Sequence, residues 1–181
     1  MKPTEGRHDA TNPAEPIQSA RARELADQFF QAHAAFSSFV ATIPAEKWRR
    51  PVSAGDPRPV WILARHIAWG YLFEQSYFQA IAEGNPKPPV DEFKTMNAAL
   101  AHEWDSLSRS DVVAAIEVAG RLAAEWVRGL SDQQLARRGE YYVGGPTWTV
   151  DDWIANILIG HIATHVPEMR AAVEGESALT G

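Results

Sequence analysis

Apolar residues recur every three or four positions through most of the chain, and strand-like alternation is almost absent. Residues 18–43 carry Leu25, Phe29, Ala32, Phe36, Phe39 or Val40, and Ile43 at helical spacing, and Pro44 closes the segment. Residues 49–59 hold three Pro and a Gly and read as a loop. The pattern predicts a second helix over 59–83, apolar on more than one face and so the most buried; Gly84 stops it. Residues 85–108 have no steady period: an extended Pro-rich start leads into a short helix or an irregular connection. A third helix is expected over 109–129, capped by Ser108 or Ser110, with Val112, Ile116, Ala119, Leu122 or Ala123, and Trp126 inward. Ser131 and Gln134 have capping-box spacing and open a short turn at 131–135. Residues 140–149 read as a loop with a brief extended pair before Gly144. Thr149 and Asp152 then cap a last helix over 150–174, ended by Gly175.

Four long helices with long crossover connections describe an all-α four-helix bundle. Residues 18–175 form that domain, between a flexible Pro-rich tail at 1–17 and a short tail at 176–181.

Composition narrows the function. The chain has 181 residues, 45% of them hydrophobic, which is enough apolar material for one core. The net charge is −6, and no basic stripe is present, so nucleic acid is not an expected partner. No apolar run approaches a membrane span and no leader-like segment opens the chain, so a cytoplasmic protein is expected. The chain has no cysteine, which excludes disulfides, thiolate metal sites and a cysteine nucleophile. Thiol chemistry here needs a thiol from outside.

The candidate chemistry lies in the last helix. His161 and His165 are four residues apart on the stripe Ile154, Leu158, His161, His165, Glu168, Ala172, at positions expected to face the core. That spacing lets two imidazoles hold one metal ion. Catalytic zinc takes three protein ligands, so a third is needed. His66, on the buried second helix with Gly70 leaving room beside it, is one candidate. His33 among phenylalanines is nearly its equal, and His102 is weaker. Glu168 is a candidate fourth ligand, or a carboxylate that orients a ligating imidazole. Pro167 is expected to kink or loosen the helix beside the pair, because it removes a backbone donor and crowds Ala163.

The segments "ILARHIAW" (62–69) and "TWTVDDWIANILIGHIATHVPEM" (147–169), joined by a long crossover, resemble the DinB-like family of metal-binding four-helix bundles. That superfamily includes the mycothiol-dependent maleylpyruvate isomerase and bacillithiol S-transferase types. The resemblance covers roughly residues 20–173. Carried over position by position, it implies a metal triad of His66, His161 and His165, choosing His66 over His33. It also implies an up-up-down-down helix order and a homodimer. The implied function is metal-dependent transfer or isomerisation with a low-molecular-weight thiol acting on a small-molecule substrate. The alternatives are metal-dependent hydrolysis with Glu168 as base, and metal or ligand binding without turnover. Zinc, nickel, iron and manganese all suit three imidazoles.

Other residues are candidates for a pocket. Trp61, Trp69, Tyr71, Phe73 and Trp153 fall on the metal-bearing helices, where aromatics more often form plain core. Asn156 and Thr164 neighbour the histidine stripe. Arg65 is adjacent to His66 and reads as a surface cation, and Arg49, Arg50, Arg137 and Arg138 as solvated charges.

Overall fold

The computed structural model describes residues 19–103 and 107–175. The two predicted tails, with His8, lie outside them, and so does the side chain of His102. Helix α1 (Ala20–Thr42) starts where the Ser19 hydroxyl accepts from the Ala22 amide, and it buries Leu25, Phe29, Phe36 and Val40. Helix α2 (Val60–Glu83) has buried residues on more than one face, as its pattern predicts, and ends at Gly84 with φ 79°, a left-handed cap suited to glycine. The ambiguous connection resolves into α3 (Phe93–Glu103). Helix α4 (Arg109–Arg128) opens on a reciprocal capping box between Ser108 and Asp111. It turns Ala123 inward and leaves Leu122 exposed.

A short α5 (Asp132–Leu135) follows, again opened by a capping box, between Ser131 and Gln134. The strands β1 (Arg138–Gly139) and β2 (Trp148–Thr149) then pair antiparallel. The extended pair thus brackets the loop at 140–147 instead of lying inside it. A single backbone bridge joins Val90 to Tyr142, tying the second crossover to this loop.

The last helix has three parts: α6 (Val150–Trp153), a π-helical turn (Ile154–Leu158) and α7 (Ile159–Glu174). In the π turn the Ile159 amide reaches back five residues to the Ile154 carbonyl. The expected loosening at Pro167 appears here instead, before the histidine pair, while α7 runs on through Pro167. The extra residue also shifts the face pattern. Leu158, Ile162, Met169 and Val173 take the core positions, and His161 and His165 lie at the margin of that face, half-buried rather than central.

Helices α1 and α2 each pack against both α4 and α7. The four long helices therefore close a ring in the order α1, α4, α2, α7, a four-helix bundle. Trp61, Trp153, Tyr71, Phe29, Phe36 and Phe78 are fully enclosed. Burying each such side chain is worth about 2 kcal/mol before entropy is counted. No described helix is long and apolar enough to cross a membrane.

Candidate metal centre

Helices α2 and α7 meet along one side of the bundle and bring His66, His161 and His165 together. The ring centroids are 4.9 Å apart for His66–His161, 5.6 Å for His66–His165 and 4.9 Å for His161–His165. One nitrogen from each ring lies within 4.8 Å of the others. The Nε2 atoms of His66 and His161 are 3.1 Å apart. Nitrogens about 2 Å from a tetrahedral ion stand about 3.3 Å from one another, so this pair already has the required separation. Among the described residues this is the one group of three acidic or imidazole side chains placed to hold an ion.

Gly70 makes the arrangement fit. A Cβ there would lie 2.5 Å from Cε1 and 2.6 Å from Nδ1 of His161. The room expected beside His66 is thus used by His161, whose ring crosses the gap. His66, Gly70 and Glu74 repeat at four-residue spacing on α2, and the His161 ring spans from the first to the third. Its Nδ1 lies 2.8 Å from Oε1 of Glu74, a carboxylate only 5% exposed. The contact is close but out of line for a hydrogen bond, so His161 Nδ1 and Glu74 Oε2 remain buried polar atoms without a hydrogen-bond partner. A buried carboxylate against an imidazole nitrogen that lacks a hydrogen bond, beside three converging rings, suits a site whose rings settle on an ion.

His165 is held in a similar way. Its Nδ1 is 2.7 Å from Oε2 of the exposed Glu168, which leaves Nε2 directed elsewhere. Glu168 is therefore engaged as an orienting carboxylate. Burial, reinforced by the neighbouring imidazoles, pushes His66 down to about 3. Burial also lowers His165, against the opposing pull of Glu168. Both rings are neutral at pH 7, the form in which a lone pair is available to a metal. Behind them, Arg58 is clamped by Asp56 through contacts of 2.6–3.1 Å, and its charge adds to the lowering of both histidines.

His33 stands apart. It is buried on α1, stacked with Phe29 at 6.1 Å and edge-on to Tyr71 at 5.8 Å, in a slot that Gly120 opens on α4. Burial lowers its pKa, as expected of a core imidazole.

A cavity of about 300 Å³ opens beside the triad. The stacked Trp69 and Phe73 form one wall; Phe93, Tyr141 and Tyr142 form another. Of the aromatics singled out in the sequence, Trp69 and Phe73 line the cavity, while Trp61, Tyr71 and Trp153 are enclosed core. Asn156 and Thr164 reach the cavity rim but donate within their own helix, to Asp152 O at 2.8 Å and Gly160 O at 2.9 Å. Sequence reasoning missed Glu74, Asp56, Arg58 and the second aromatic wall. The four-residue repeat through Gly70 was the one available signal for Glu74; the others depend on contacts between distant segments.

The DinB superfamily model matches residues 10–169. Among solved structures, one titled YfiT from Bacillus subtilis, "a probable metal-dependent hydrolase with an unusual four-helix bundle topology", superposes with TM-score 0.61. Identity is 16%, over 88% of this chain and 91% of that one. A second, titled "Sibling Lethal Factor Precursor - DfsB", gives TM-score 0.67 and 15% identity over 88% of this chain and 99% of the other. At such identities the likeness is one of fold. No curated protein sequence matches the chain.

Proposed function

The chain belongs to the DinB superfamily, and on that premise we propose that His66, His161 and His165 hold a divalent cation that activates a low-molecular-weight thiol. The electrophile is a small molecule seated in the adjoining cavity. The observation that carries this reading is the convergence of three imidazoles, each from a position the family resemblance implies, at the edge of a cavity large enough for a small molecule. When bound, zinc, nickel, iron(II) or manganese supplies the positive charge that keeps a thiol deprotonated at neutral pH.

The chain's own residues do the rest. Neutral imidazoles leave the charge of the site uncompensated, and three ligands leave a coordination position open. Glu168 fixes the orientation of His165, and the buried Glu74 carboxylate stands behind His161. Trp69 and Phe73 shield the site from water and seat the apolar part of the substrate. Sulfur attack on an electrophilic carbon with departure of a leaving group gives S-transfer. Addition to a double bond, rotation and loss of the same thiol gives isomerisation. The absence of cysteine agrees with a thiol from outside.

Metal-dependent hydrolysis is the second reading, favoured by the description given to YfiT. Against it, Glu168, the carboxylate expected to serve as base, is already engaged with Nδ1 of His165. The test is to supply metal-loaded protein with mycothiol or bacillithiol and a chlorinated nitroaromatic. Metal-dependent loss of free thiol supports transfer. Turnover of an ester or amide without thiol supports hydrolysis instead, and neither reaction leaves a binding protein.

A further inference from the structure

We propose that the cavity selects a neutral, flat aromatic molecule carrying one hydrogen-bond donor, seated in the corner where the two ring walls meet. This deepens the proposed function by naming the class of its electrophile or ligand, and it rests on the same cavity. On α2, Trp69 and Phe73 stack with centroids 4.5 Å apart and planes 21° from parallel, and both remain half-buried. Both rings line the cavity while stacking on one another. In the second wall Phe93 sits edge-on to Tyr141 at 5.6 Å and to Tyr142 at 6.1 Å, and Tyr141 meets Phe73 of the first wall at 6.4 Å. These rings come from three distant segments, held in register by the bridge from Val90 to Tyr142. Aromatic surfaces prefer offset-stacked and edge-to-face partners, which is what two such walls offer a third ring.

The polar groups point the same way. Glu74 is the only charged residue among the described lining residues, and its Oε1 lies against Nδ1 of His161 at 2.8 Å. No described cation lines the cavity to receive a carboxylate or phosphate. The amide oxygen Oδ1 of Asn97, which lines the cavity, is buried without a partner. A buried acceptor without a donor costs free energy, and a ligand hydroxyl or N–H relieves it.

The test titrates the whole, metal-free chain with 2-naphthol, 2-naphthoate and cyclohexanol, following tryptophan fluorescence and calorimetry. Metal-free protein is used so that a carboxylate gains nothing from a bound cation. The proposal expects 2-naphthol to bind at least tenfold tighter than either of the others. Phe73→Leu, which keeps an apolar side chain and removes the ring, should weaken 2-naphthol by roughly fivefold. Circular dichroism of the variant checks that the bundle is intact, and Asn97→Leu supplies a second, independent variant that should also weaken 2-naphthol. Equal binding of cyclohexanol, tighter binding of 2-naphthoate, or no effect of both variants would overturn the proposal. Metal content is measured separately, so a chain that holds metal but ignores 2-naphthol sinks this inference alone. A chain that binds 2-naphthol but no metal sinks the metal reading and leaves this one standing.

Discussion

Gly70 is the residue on which the candidate site turns, although it carries no functional group. A methyl group there would press on His161 at 2.5 Å, and that ring is bounded by His66 on one side and Glu74 on the other. Gly70→Ala should therefore displace His161 and lower metal affinity by at least tenfold while the helix itself strengthens slightly, since Ala is the better helix former. Equilibrium dialysis against zinc measures the affinity; an unchanged value would mean that His161 is not a ligand. Glu74→Gln keeps the shape and removes the charge behind His161. A tenfold to hundredfold loss of affinity is the usual scale for such a partner. Glu168→Gln should cost less, because Glu168 is exposed and solvent screens it. The histidine pair and Glu168 were legible in the sequence from spacing alone, since both lie on one helix. His66 was not, and needed the family resemblance, because the contact between α2 and α7 spans 95 residues of chain.

Among the elements, the last helix explains most of what the pattern could and could not give. Its start was readable: Thr149 and Asp152 form the expected box, with Thr149 Oγ1 accepting from the Asp152 amide at 3.0 Å and the Asp152 carboxylate accepting from the Thr149 amide at 3.2 Å. Thr149→Ala should lower unfolding free energy by about 1 kcal/mol in a denaturant titration and leave metal content untouched. A loss of metal along with stability would show that the box also sets the histidines. The π turn at Ile154–Leu158 was not readable, because a single inserted residue leaves the apolar period on either side intact. It moved the histidines from the predicted core line to its margin, where they meet both α2 and the cavity. The connection at 85–108 was also opaque: its helix α3 and the bridge to Tyr142 depend on packing against a loop some fifty residues later.

For the whole molecule, the histidines link acidity to folding. An exposed imidazole in the unfolded chain takes up a proton near pH 6.5. Folded His66 does so only at about 3, and folded His33 and His165 are also shifted down. Below pH 6.5 the unfolded state thus binds more protons, and stability falls as pH falls from 6.5 toward 3. Metal-free protein should show a falling denaturation midpoint between pH 6.5 and 5, and His66→Gln should flatten that slope. A slope unchanged by the substitution would mean that His66 is not buried as a neutral ring. Added divalent metal should raise the thermal midpoint of the native protein at pH 7, since an ion that binds only the folded state stabilises it by mass action. The bundle itself was legible from helical period and caps, and the core from the two-faced apolar pattern of α2. The order of helices around the ring was not, because any pairing of four amphipathic helices satisfies the same pattern.

The most direct measurement of the central claim is elemental analysis of untagged protein beside its His66→Ala, His161→Ala and His165→Ala variants. The account predicts about one equivalent of a divalent metal in the native chain and little in any variant, each of which still folds as a helical bundle. No metal in the native protein after reconstitution, or full retention in the variants, would contradict it.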